Sequence, residues 1–189
     1  PEMPTVGSDK TIVIDADIFS EMVKGTIFAV AQNEGAKPIL TGIYVTIEDR
    51  ILRFVAIDGY RLAIRRHNID IEGSFSFILS GRAVGEAVKL IDEETENVEI
   101  SFGDRLVSFN ISGYSFISRL LEGEFVNYQK TIPAEHRQRV VVNTRELTNT
   151  IERVSLLISE SFSTPIRCYF NELNVVFTCA TSVGRATET

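Results

Sequence analysis

The sequence predicts an α+β fold made of duplicated β-α-β-β-β units, with helices on one face of antiparallel sheets. Three observations lead there. The stretch Val55-Ala56-Ile57-Asp58-Gly59-Tyr60-Arg61-Leu62-Ala63 returns in altered form as Ile111-Ser112-Gly113-Tyr114, each copy closing one apolar alternating run and opening another. A two-residue turn at such a point needs positive φ, which Gly supplies without steric penalty. Three helical patterns follow apolar strands through a residue able to accept bonds from free backbone N–H groups: Asp15 or Asp17, Ser80, and Asn143, the last in capping-box register with Glu146. Three alternating runs, broken by turn residues, come after the first two of these helices.

In the first unit, 11–14 reads as a strand, 15–33 as a helix, and 40–48, 51–57 and 60–69 as hairpin-linked strands. In the second, 75–79 is a strand, 81–91 a helix, and 98–102, 105–111 and 114–121 the meander, punctuated by Gly103-Asp104 and Ser112-Gly113. A third unit opens with a strand at 139–142 and a helix at 144–159, followed by strands at 166–170 and 173–179. The apolar stripes have helical spacing: Phe19, Val23, Ile27 and Val30, then Val84, Val88 and Ile91, then Leu147, Ile151, Val154 and Ile158. They are assigned to cores between helix and sheet.

A length of 189 residues suits one complete domain plus part of another. Residues 1–133 are expected to form a complete domain of two repeats, about 11–70 and 74–133, and residues 134–189 the first, incomplete half of a following one. The boundary is set by Ile132-Pro133-Ala134-Glu135-His136-Arg137-Gln138, which loses apolar periodicity and carries Pro and charge. No apolar run approaches a membrane span and no leader pattern is present, so a cytoplasmic protein is expected. Cys168 and Cys179 fall on neighbouring strands without metal-ligand spacing and are expected as reduced, half-buried thiols. The formal net charge of −7 argues against a nucleic-acid binder, yet acid is concentrated in Asp92-Glu93-Glu94-Thr95-Glu96, while Arg82 and Lys89, and Arg145 and Arg153, recur at two-turn spacing on helices. Taken alone, these are solvated helix faces with i,i+4 partners such as Arg82 with Glu86.

No catalytic constellation is visible. His67 and His136 lie in loop-like, charged surroundings, and no GxSxG, HExxH, GxxxxGK or GxGxxG pattern occurs. Asp58 is the best single carboxylate, but a turn Asp before Gly is explained by hairpin geometry. No enzyme activity, cofactor or metal is expected.

Three ordered blocks resemble the bacterial DNA polymerase III beta subunit, the sliding clamp family: Leu40-Thr41-Gly42, residues 55–63, and Ile117-Ser118-Arg119-Leu120-Leu121-Glu122-Gly123-Glu124-Phe125, followed by Tyr128 and Ile132-Pro133. The resemblance implies the DNA clamp fold and a non-catalytic processivity factor. In that family each protomer has three similar domains, and two protomers close into a ring that slides on double-stranded DNA. The helices then line the hole, which turns the bland helix faces into weak, sequence-independent phosphate contacts: Lys24, Arg82, Lys89, Arg145 and Arg153, with the loop residue Lys37.

The resemblance also implies a pocket for a short apolar motif of the DNA polymerase III alpha subunit, the clamp loader and repair polymerases. Its near wall would be Leu40, Ile57, Gly59, Tyr60, Arg61, Leu62, Val126, Lys130 and Thr131, with Phe162 from the third unit. Departures cluster here: Ile57 stands where Thr is common, Phe125-Val126-Asn127-Tyr128 where Phe-Pro-Asp-Tyr is usual, and Lys130-Thr131 where Arg-Val is expected. Loss of the Pro frees a φ angle in the wall, and Ile57 adds apolar bulk, so the pocket is expected to persist with an altered motif preference. The family's first domain and the last strands of its third lie outside these residues. The chain alone is therefore not expected to close the usual homodimer ring, and its final segment is expected to be less stable than residues 1–133. The alternative reading is a divergent or truncated paralogue, a peptide-binding adaptor that does not encircle DNA.

Overall fold

The computed structural model describes residue 6 and residues 10–32, 35–158 and 164–189. The chain divides into two compact units, Pro1–Ile132 and Pro133–Thr189.

Among its described residues the first unit carries eight strands, β1 (Lys10–Asp15), β2 (Gly42–Glu48), β3 (Ile51–Ile57), β4 (Leu62–Asn68), β5 (Phe75–Ser80), β6 (Asn97–Phe102), β7 (Leu106–Ile111) and β8 (Tyr114–Arg119), with helices α1 (Ala16–Lys24) and α2 (Gly81–Val88). Pairing does not follow sequence order. The sheets run β4-β3-β2-β5 and β1-β6-β7-β8, all antiparallel, so each repeat gives its leading strand to the other's meander. Asp15 lies opposite Asn97, and Gly42 opposite Ser80. The Leu79–Leu120 bridge and the Leu121 amide, 2.9 Å from the Ile78 carbonyl oxygen, bring the two sheets edge to edge.

Alternation puts Leu52, Phe54 and Ala56 of β3 on the inner face, all fully buried. Phe19 of α1 joins the halves: its ring lies 6.1 Å from Phe54 of one sheet and 6.1 Å from Phe109 of the other. Each such buried side chain contributes roughly 1.5–3 kcal/mol through apolar burial.

The expected helix over 15–33 ends at Lys24. Gly25 closes it, and the Thr26 hydroxyl donates to the carbonyls of Met22 (2.8 Å) and Val23, after which Ile27–Ala29 tightens to a 3-10 turn. The apolar stripe survives the break, with Val30 buried and Ile27 packed against the core. Leu40 is not on a strand. Pro38 pre-sets the first φ of a 3-10 turn, Pro38–Thr41, and β2 starts only at Gly42. Asp15, not Asp17, caps α1, whereas the Ser80 side chain makes no cap bond. His67 is on β4, within the expected strand 60–69 and not in the loop-like surroundings also read for it.

In the second unit α3 (Thr144–Ser155) packs on a sheet of order β11-β10-β9, formed by β9 (Arg167–Phe170), β10 (Val175–Ala180) and β11 (Arg185–Glu188). Asn143 caps α3 by accepting from the amides of Arg145 and Glu146. Val154, Phe177 and Cys179 form its core. The strand β11 was not expected. Leu173, expected on a strand, sits in the β9–β10 turn and is 95 % exposed. Ile151 is exposed, because the side of α3 turned to the core carries buried Thr150 and Val154 with partly buried Leu147, and Ile158 packs there from beyond the helix end. Cys168 is exposed and Cys179 buried, so neither thiol is half-buried. The strand expected at 139–142 is absent. In the first unit a leading strand pairs with the other repeat's meander, whereas the ladders of β9, β10 and β11 are internal to one meander, and Val140, Val141 and Val142 remain exposed.

Candidate functional site

The Asp-Gly connection is built differently from its second copy. Ser112 and Gly113 form the expected two-residue turn, both at positive φ, with Ile111 opposite Tyr114. Between Ile57 and Leu62, by contrast, four residues intervene. The side chain of Asp58 reorganises them: Oδ1 accepts from the amides of Tyr60 (3.0 Å) and Arg61 (3.1 Å), and Oδ2 from Nε of Arg61 (2.8 Å). Gly59 takes φ +91°. The outcome is a hydrogen-bonded loop that holds Tyr60 out in water, 94 % exposed. Partial burial opposes ionisation of Asp58, but the bonds from Tyr60 and Arg61 outweigh it, and its carboxyl titrates below the ordinary value.

The residues expected to line a pocket fall into two neighbouring surfaces of the first unit. Leu40, Tyr60 and Arg61 share a groove of about 620 Å³ with Val30 and Ala31. Leu40 is anchored there by its amide on the Lys37 carbonyl and by its own carbonyl on the Ala31 amide. Ile57 and Leu62 are register partners and, by alternation, lie on the outer sheet face with Val55, Ile64 and Tyr44. The chain after β8 crosses that face. Phe125 stacks on Tyr44 at 4.7 Å, and Val126 lines a second groove of about 470 Å³ with Arg53 and Arg66. Lys130 and Thr131 follow, exposed, in the 3-10 turn Tyr128–Thr131. Gly59 contributes backbone conformation only, and Phe162 lies outside the described residues.

The basic residues are all exposed, but they do not form a purely positive face. Lys24 on α1, Arg82 on α2 and Lys89 just past its end are interspersed with Asp17, Glu21 and Glu86. Glu86 pairs with Lys89 (2.8 Å), not with Arg82, and Glu21 is taken by Arg65 of β4. Lys37 stands immediately before the Pro38 turn. In the second unit Arg145 opens α3, while Arg153 is tied to Glu188 at 2.9 Å and to the Thr150 hydroxyl at 3.2 Å.

Sequence reasoning missed Tyr44, Phe125, Arg53 and Arg66. A period-two pattern hints at which face each takes, but only the β3–β4 register brings the two arginines opposite one another. Among the described residues no group of three or more His, Cys, Asp or Glu could hold a metal ion, and no helix is long and apolar enough to cross a membrane.

Comparison with known proteins agrees with this geometry. The family described as DNA polymerase III beta subunit, central domain, matches residues 13–127. The beta sliding clamp of Bacillus subtilis is 33 % identical over 162 residues, 85 % of this chain and 43 % of that protein. The beta sliding clamp of Staphylococcus epidermidis is 30 % identical across the whole chain and half of its own length. The crystal structure of the Bacillus subtilis DNA polymerase sliding clamp superposes with a TM-score of 0.92 at 29 % identity, covering 100 % of this chain and 50 % of that one. The chain thus spans about half the length of the relatives it matches.

Proposed function

The chain belongs to the DNA polymerase III beta subunit family, and from that premise we infer that it is the docking and DNA-facing part of a non-catalytic processivity factor. In this reading it contributes to a homodimeric ring that encloses duplex DNA in the bacterial cytoplasm. Short apolar motifs of the polymerase alpha subunit, the clamp loader and repair polymerases dock on Leu40, Ile57, Tyr60, Arg61, Leu62, Val126, Lys130 and Thr131. The observation that carries the reading is the β3–β4 loop: a hydrogen-bonded turn presents an exposed aromatic and one guanidinium beside the apolar pair Ile57 and Leu62. An extended peptide gains affinity there by burying its apolar side chains, and orientation from the Arg.

Lys24, Lys37, Arg82, Lys89, Arg145 and Arg153 then make weak phosphate contacts, and enclosure supplies the retention that such contacts do not. One observation favours the second reading, an adaptor that docks peptides without enclosing DNA: the exposed faces of α1 and α2 carry three acids, Asp17, Glu21 and Glu86, against Lys24 and Arg82, with Lys89 just past the end of α2. A chimera in which these residues replace the matching part of the Bacillus subtilis clamp separates the two. Loading onto nicked circular DNA, with release on linearisation, supports enclosure. Failure to load while a polymerase peptide still binds leaves the adaptor reading standing.

A further inference from the structure

Arg53 and Arg66 are direct register partners on β3 and β4 and face the same groove of the outer sheet surface. Like charges directly opposite one another destabilise a sheet, so the arrangement calls for an anion. The pairing available within the chain is weak. Glu48 reaches Arg53 at 3.6 Å from a carboxylate that is 63 % exposed, while the Arg53 side chain is only 20 % exposed. Arg66 pairs with no carboxylate among the described residues. Two guanidinium groups supply planar donor sets suited to bidentate capture of a carboxylate.

The same register fixes their distance from the apolar pair. Leu62 and Arg66 are four residues apart along β4, about 13 Å at the rise of an extended chain, and Ile64 between them is partly exposed, whereas Val55, between Ile57 and Arg53 on β3, is covered. The geometry points to a carboxylate subsite: the Arg53–Arg66 groove takes an acidic side chain of the docked peptide, four residues from the apolar anchor that lies on Ile57 and Leu62. Glu48 and Glu124 at the rim of this groove repel a polyanion as dense as duplex DNA and tolerate a single carboxylate. The inference rests on the docking reading above.

Two decapeptides with a central Leu-Phe pair, one with Glu four residues before the pair and one with Glu four residues after it, are titrated into the 189-residue chain beside their Gln counterparts. One Glu peptide is expected to bind about three- to tenfold tighter than its Gln counterpart at low salt. That advantage is expected to vanish in Arg53→Gln and Arg66→Gln, with the Gln peptides unaffected. Equal binding of Glu and Gln peptides overturns the subsite and leaves docking intact. No binding of any peptide overturns both. Displacement of the Glu peptide by a short DNA duplex at equal charge concentration reassigns the arginines to phosphate and overturns it as well.

Discussion

Asp58 holds Arg61 twice, through the main-chain amide at 3.1 Å and through the side-chain Nε at 2.8 Å, and so converts a turn signal into a four-residue platform. Replacing Asp58 with Ala removes these bonds and the one to the Tyr60 amide, and is expected to destabilise the first unit by about 1–2 kcal/mol. Asn keeps an acceptor for the two amides and is expected to cost about half as much. Urea unfolding of the variants checks both. Because folding favours the carboxylate, its contribution is whole above the ordinary aspartate pKa and is lost as pH falls through the depressed folded value. A carboxyl-carbon NMR titration of Asp58 with its midpoint at or above the ordinary value rules the account out.

The Asp58-Gly59 and Ser112-Gly113 pairs carry similar turn signals, yet only the second makes a two-residue hairpin. The difference lies in a side chain three residues away, Arg61, which offers Asp58 a better use than a tight turn. Strand identity was legible from local alternation, as β3 and β7 illustrate. Pairing was not, because β1 and β6 lie some 85 residues apart and nothing local marks Asp15 as the partner of Asn97. The strand expected at 139–142 failed for the same non-local reason. Tyr60 and Arg61 were reachable through family resemblance, whereas Arg53 and Arg66 needed the register.

Gly25 closes α1 under the side chain of Arg65, whose Cγ and Nε would lie 2.8 Å from a β-carbon built there. Ala at this position should displace Arg65 from Glu21 and destabilise the protein by about 1 kcal/mol, although its backbone is helical, where Ala is otherwise preferred. In an Arg65→Ala background the sign should reverse, with Gly25→Ala neutral or stabilising by up to about 1 kcal/mol. A double-mutant cycle by chemical denaturation reads this directly, and additive effects would remove Arg65 as the cause.

At Gly42 the obstruction is backbone. A β-carbon would lie 2.5 Å from the Leu79 carbonyl oxygen and 2.6 Å from Leu121 Cδ1, at the seam where β2 meets β5. Neither the ladder nor the buried Leu79 can yield as a flexible side chain would, so Gly42→Ala should cost about 2–3 kcal/mol. Thermal unfolding within about 1 °C of the parent protein would contradict the close packing.

Tyr60 separates the stability of the first unit from its docking function. Its side chain is almost wholly in water, so Tyr60→Ala should leave unfolding free energy within about 0.5 kcal/mol of the parent. If the loop is a docking platform, the same change removes an exposed aromatic anchor and should weaken an apolar polymerase peptide about tenfold or more. Ile57→Asp should abolish that binding, since it puts a charge where the peptide's apolar side chains must be buried, beside Leu62. Ile57 is half-buried at the end of β3, so circular dichroism of Ile57→Asp must first match the parent before loss of binding is read as loss of the site. Isothermal titration in which Tyr60→Ala binds as tightly as the parent would take the platform out of the docking surface, whatever Ile57→Asp does.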